Sequence, residues 1–337
     1  MNSFSSRRQF IKKSGWALTA LALPFPFKTT STVTDMNTTK FWDVIIVGGS
    51  YSGLAAAMAL GRAVKHVVVI DSGKPCNAQT PFSHNFLTQD GKKPSDIASL
   101  GKQQVLQYPT IQFVNGMAVH GNKTEKGFEI TLESGEKFEA SKLIFATGIK
   151  DQPADIEGFS ECWGISVIHC PYCHGYEVRH TKTGILGNGD FGFEWAKMIS
   201  NWTSDLTLYT NGKSTLTDEQ SAKLKQHHIA IVEKEIHKLE HTKGQLQQIL
   251  FADGTRTPLT ALYAPRPFVQ HSSIPESLGC ELTEEGYIKV NATQETTVTG
   301  IYACGDNTTR MRTVANAVAT GTSAGMSASK KLILEQF

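Results

Sequence analysis

Apolar runs broken by glycine-rich turns set the rhythm of this chain. Residues 41–47, Phe-Trp-Asp-Val-Ile-Ile-Val, are apolar and β-branched, which predicts a strand buried on both faces. They run into a turn from Gly48 to Gly53, and the alanine-rich stretch 54–62 predicts a helix. Residues 67–70 predict the next strand, ending at Asp71. The same order returns later: a strand at 183–186, a turn from Gly187 to Gly192, a helix continuing over 194–199 and a strand at 205–209. A polar middle, 213–243, leads to predicted strands at 246–251 and 261–263. A short buried strand at 301–304 precedes a small-residue helix over 315–334.

Strand, glycine turn, helix and strand in that order lay a pyrophosphate on a helix N-terminus. In the first copy Gly48, Ser50 and Gly53 hold the fingerprint positions, with Ser50 in place of the middle glycine. Asp71 lies 23 residues after Gly48, where an acid holds a ribose hydroxyl pair. The second copy is a full fingerprint, Gly187, Gly189 and Gly192. Yet 23 residues after Gly187 stands Thr210, followed by Asn211 and Gly212, with Lys213 the one cation nearby. No acid is there to select NAD, so this loop reads either as weak, relaxed NAD(P)H binding or as a retained fold without that use. At the far end, Gly305 and Asp306 place a carboxylate beside a tight turn, suited to the hydroxyls of a flavin's ribityl chain. Arg312, Thr313 and Val314 open the last helix, whose free N–H groups suit the electron-rich edge of a flavin. Asp306 also has a plainer reading as a turn or helix cap.

Between the two glycine turns lies the stretch His169–Cys170–Pro171–Tyr172–Cys173–His174–Gly175–Tyr176–Glu177. A Cys-x-x-Cys turn brings two sulfurs close enough to bond and reopen, and an adjacent imidazole can move the proton that exchange requires. Cys170 and Cys173 are the candidate redox pair, His174 the proton carrier, and Glu177 a candidate to orient it. Half of a zinc site is the alternative; it needs a second ligand pair, and the only spacing on offer is His237 and His241 in a polar stretch. No metal is expected. Cys76, Cys162, Cys280 and Cys304 stand singly; His169, His180 and Cys76 receive no role.

Composition narrows the setting. The chain has 337 residues, enough for two domains, and its 29 glycines fit an α/β protein with many tight turns. Five of the 33 Lys/Arg and one of the 31 Asp/Glu lie in the first 35 residues, which leaves 28 basic against 30 acidic in the rest. That balance gives no reason to expect nucleic acid as a partner. Residues 1–35 carry Arg7 and Arg8, then Phe10 and Lys12, then an apolar run from Trp16 to Phe27. They read as a twin-arginine-type export signal, too short for a confident membrane span, with a periplasmic destination. If Met36 is the true start, the protein is instead cytoplasmic.

Five motifs in one order, residues 47–53, Ala146–Thr147–Gly148, Cys170–Cys173, 187–192 and 300–306, resemble the low-molecular-weight thioredoxin reductases among the pyridine nucleotide-disulfide oxidoreductases. The resemblance implies an α/β fold with two Rossmann-like domains of three-layer ββα type. The FAD-binding domain is expected over 36–151 and 258–337, with the NAD(P)-type domain inserted at 152–257. It adds Thr147 and Gly148 to the FAD contacts and implies a homodimer in which Cys173 faces the flavin and Cys170 exchanges with substrate. His174 replaces the family's usual aspartate, and residues 209–212 replace an arginine-rich NADPH stretch. Both departures resemble the flavin dithiol oxidases that close disulfides in gliotoxin and holomycin, which pass electrons to oxygen without NADPH. The expectation is therefore an FAD-dependent thiol–disulfide oxidoreductase oxidising dithiols, its partner a small dithiol or a thioredoxin-like protein. An NAD(P)H-driven disulfide reductase and a non-catalytic flavoprotein are the alternatives.

Overall fold

A computed structural model describes residues 40–337; the basic and apolar segment expected to direct export lies outside the described residues. Strand Phe41–Val47 is the centre of a seven-stranded sheet. It pairs in parallel with Val67–Asp71 on one side and Lys137–Phe145 on the other. Ile111–Asn115 extends the sheet beyond Val67–Asp71, and Ile301–Ala303 joins in parallel at the end of Lys137–Phe145. The hairpin Ala118–Thr124 and Gly127–Leu132 completes it in antiparallel fashion. Alternate residues face opposite sides of a strand. Ile45 and Val47 enter one core cluster while Val44 and Ile46 enter another, which is why the run from Val44 to Val47 is apolar on both faces.

The second core layer is made by two helices, Tyr51–Arg62 and Val314–Gln336. They approach so closely that a Cβ at Gly321 would overlap the Ser52 carbonyl, and one at Gly325 would meet Ala56 and Ala59. Small residues are therefore required on both helices, and this contact holds the two helix starts at the same end of the sheet.

A second, all-parallel sheet runs in the order Ala230–Val232, Leu206–Tyr209, Thr183–Leu186, Ala261–Tyr263 and Val167–Ile168. Beside it lies an antiparallel sheet of Ile236–Thr242, Gln245–Phe251 and Arg256–Pro258. The structure corrects one expectation and fills in a stretch for which no element was predicted. The boundary expected at 257/258 falls short, because Ala261–Tyr263 pairs with Thr183–Leu186 and buries all three of its residues in the second sheet. The polar middle also holds structure: a helix at Asp218–Gln226 with a full capping box, and two strands. Its polarity reflects one-sided exposure rather than a loop. Ile149–Asp151 and Phe268–Gln270 pair where the chain passes between the two parallel sheets.

Candidate active site

The first glycine turn is built for a backbone-close ligand. Gly48 has φ +103°, and a Cβ there would overlap the Ala146 carbonyl. Ser50 is the N-cap of helix Tyr51–Arg62, but its side chain makes no cap bond, so the first helical N–H groups are left for a ligand. The Gly49 amide donates to Asp71 Oδ1 at 3.1 Å, which fixes that carboxylate beside the turn. A cavity of about 370 Å³ runs along Gly48–Ser52, Asp71, Thr147, Gly148 and Asp306. Thr313 caps the last helix by accepting from the Asn316 amide at 3.1 Å. Val314 starts that helix, so its amide has no acceptor within it.

Beyond Asp306 the crevice narrows to about 120 Å³, lined by Cys173, His174, His169, His84, Cys76 and Arg312 among others. Cys170 and Cys173 are joined as a disulfide with Cα atoms 5.3 Å apart, so they do not present the thiolate pair of a zinc site. Pro171 opens the single helical turn Pro171–His174, and the Cys173 and His174 amides both donate to the Cys170 carbonyl at 3.2 Å. That turn points Cys173, not Cys170, at the crevice. Gly175 caps the turn, and a side chain is excluded there because a Cβ would meet the Pro171 carbonyl and the Trp202 indole.

The charges deep in this crevice are coupled. Arg312 makes a bidentate pair with Asp151 at 2.8 and 2.6 Å, and its Nε lies 3.7 Å from Asp306. Burial, aided by Asp151, pushes the Asp306 carboxyl up to about 6 against the pull of Arg312. The Cys76 residue is exposed at the crevice wall, yet desolvation of its thiol there, with Asp306 adding to it, pushes it up to about 11. Burial also drives His174 down to about 4, helped by neighbouring His84, and His169 down to about 3, helped by Arg312. Both imidazoles are thus neutral at pH 7. Arg312 Nε and Asn307 Oδ1 are buried without a hydrogen-bond partner in the chain. Uncapped amides, a glycine cradle, Asp71 and these orphaned atoms together fit FAD.

Glu177 does not orient His174. Its Oε1 lies 3.5 Å from His84 Nδ1, and the His84 ring stands edge-on to His174 with centroids 6.4 Å apart. His84 was not foreseen, because 90 positions separate it from His174 and its own loop carries no motif. Asp151, at the end of strand Ile149–Asp151, and Asn307, directly after Asp306, were also missed, because neither is itself part of a motif. His180, left unassigned, is exposed, with φ +59°. His237 and His241 lie on strand Ile236–Thr242, where His241 Nδ1 accepts from the Gly244 amide.

The second glycine turn looks different from the first. Asn188 caps helix Gly189–Ile199, its Oδ1 accepting from the amides of Gly189 at 2.9 Å and Thr215 at 2.8 Å. Its Nδ2 donates to the Lys213 carbonyl at 2.9 Å, so residues 213–215 are laced to the turn. Thr210 Oγ1 donates to the Gly212 carbonyl at 2.6 Å, and Asn211 Oδ1 accepts from the Ile236 amide at 2.7 Å. The Thr210 and Asn211 side chains at the ribose-reading position are thus engaged within the chain.

Two sheets of Rossmann type with a dithiol–disulfide pair at the mouth of a dinucleotide cavity define a flavin-dependent disulfide oxidoreductase. The chain belongs to the pyridine nucleotide-disulphide oxidoreductase family, whose model matches residues 42–321, and it uses FAD. It is 32% identical over 313 residues to the thioredoxin reductase tcpT of Claviceps purpurea, covering 89% of this chain and 97% of that one. Among solved structures it is similar to an oxidoreductase from Agrobacterium tumefaciens, with TM-score 0.82, 34% identity and coverage of 88% and 99%. A thioredoxin reductase TrxB from Bacillus anthracis superposes with TM-score 0.84 at 29% identity, covering 88% and 100%.

Proposed function

We propose that this enzyme works in the oxidising direction, closing disulfides in dithiol substrates without a nicotinamide cofactor. The observation that carries this is the second glycine turn, whose ribose side is occupied by its own residues 213–215 through Asn188. A substrate thiolate attacks Cys170 Sγ; the new S–S bond forms as the Cys170–Cys173 bond breaks, and Cys173 leaves as a thiolate. His174, neutral at pH 7, takes the proton of the second substrate thiol. That thiolate attacks the substrate sulfur of the mixed disulfide and releases Cys170, so the substrate loses two electrons and the pair gains them. Bound FAD supplies the two-electron acceptor that returns the pair to its disulfide form, with oxygen as the final acceptor. Asp71 would hold its ribose, the Gly48–Gly53 turn its pyrophosphate, and Asp306 its ribityl hydroxyls.

The deciding experiment is anaerobic mixing of holoenzyme with NADPH, NADH or a simple dithiol, followed at the flavin absorbance. Bleaching is expected with the dithiol alone, with oxygen uptake when air is admitted. Prompt bleaching by NADPH would instead establish a reductase.

Two further features belong to this proposal. Residues 1–35 direct export, and Arg7→Lys with Arg8→Lys should leave the enzyme in the cytoplasm on fractionation. The working form is a homodimer, and sedimentation at a single protomer mass overturns that.

A further inference from the structure

His174 is the obvious recipient of the thiol proton, yet nothing near it favours keeping one. It is enclosed, and the groups facing it are two further imidazoles, His84 and His169. His84 is placed differently. Its Nδ1 lies 3.5 Å from Glu177 Oε1 and 3.8 Å from Asp90 Oδ1, and its side chain is 18% exposed. Asp90 is itself fixed, accepting from the Asn85 amide at 2.7 Å, and the loop is closed by the exchange of backbone bonds between Ser83, Gly91 and Lys92. Glu177 and Asp90 are both exposed, and the Tyr263 hydroxyl is a further titratable group near Glu177. A proton on His84 thus meets two carboxylates with a way out to water, whereas one on His174 meets none.

We infer that His84, held by Glu177 and Asp90 and set edge-on to His174, is a second proton carrier of the active centre that takes the substrate's thiol proton from His174 through one intervening water and delivers it to solvent. One proton leaves by this route per disulfide closed, that of the second substrate thiol, and no electrons move along it. The relay couples the crevice floor, where the sulfur chemistry occurs, to a rim built from a loop 90 positions away in the chain.

This inference rests on the dithiol–disulfide reading of the same site. It is tested on holoenzyme with dithiothreitol under anaerobic conditions, counting Cys170 and Cys173 thiols by rapid quench, alkylation and mass spectrometry alongside flavin bleaching. His84→Ala should retain FAD and slow the exchange by about 100-fold, within the range of one proton-transfer group. Added imidazole should restore at least a tenth of the lost rate, because a diffusible base replaces a carrier but not a strut. Glu177→Gln should slow exchange about tenfold without imidazole rescue. An unchanged rate in His84→Ala, or a slow His84→Ala with full FAD that imidazole leaves slow, overturns the relay. If His84→Ala loses its flavin, Glu177→Gln decides, and an unchanged rate there overturns it. Wild-type enzyme that dithiothreitol fails to bleach defeats the parent reading instead.

Discussion

At the scale of single residues, environment sets the chemistry. His174 stays neutral because burial and His84 oppose its charge, bringing it down to about 4 from the usual value near 6.5. His174 itself should therefore not be lost as a base as pH falls through 6.5, and the acidic limb that belongs to it should lie near pH 4–5 in stopped-flow rates of His84→Ala. The same depression acts on stability. Below pH 6.5 the unfolded chain binds protons at His169 and His174 that the folded chain refuses, so stability falls as pH drops from 6.5 towards 4. Asp306 acts in the opposite sense between 3.8 and 6, since its raised carboxyl binds a proton in the folded state first. Thermal melts of His169→Asn should accordingly be flatter with pH over 4–6.5 than those of the wild type. Cys173→Ser should abolish dithiol oxidation while leaving bound flavin, whereas His174→Gln should reduce it by about 10²–10⁴-fold. Cys170, Cys173 and His174 could be picked out from the sequence because a local turn alone makes them neighbours. His84 could not, because it reaches the site from a distant loop, and Asp151 and Asn307 could not, because their partners Arg312 and Phe145 lie 161 and 162 positions away.

At the scale of elements, the contact between helices Tyr51–Arg62 and Val314–Gln336 carries the site. It brings one helix start to the glycine turn and the other to Asp306 and Arg312. Gly321→Ala would push a methyl into the Ser52 backbone, and overpacking of this kind costs about 1–3 kcal/mol. The expected outcome is a lower melting temperature and reduced flavin content on purification, read from the absorbance ratio. The alternation of strands, glycine turns and helices predicted most of these elements, because continuous apolar runs and small-residue turns are local signals. The helix Asp218–Gln226 was hidden by its polarity, since only Leu224 is buried. The short strand Ala261–Tyr263 was predicted, but its sheet was not, because sheet partnership is a long-range property.

At the scale of the whole molecule, the crevice between the glycine turn and the disulfide turn is what makes an electron path. Cys173 lies on it and Cys170 does not line it, so the two sulfurs are given different tasks by position alone. Stripping FAD from the purified enzyme should abolish dithiol oxidation, and adding it back should restore it, whereas a chelator should change nothing. Among the described residues no helix is long and apolar enough to cross a membrane.

The sequence by itself determined the two glycine turns, the strands that lead into them, the acid at Asp71 and the sulfur pair with its histidine, because each is written in residues close together along the chain. Tertiary structure alone decided that Glu177 serves His84 rather than His174, that Asn188 laces the second turn to residues 213–215, and that Arg312 bridges Asp151 and Asp306. Those pairings depend on where distant loops come to rest, and side-chain contacts between such loops follow from packing rather than from any local pattern.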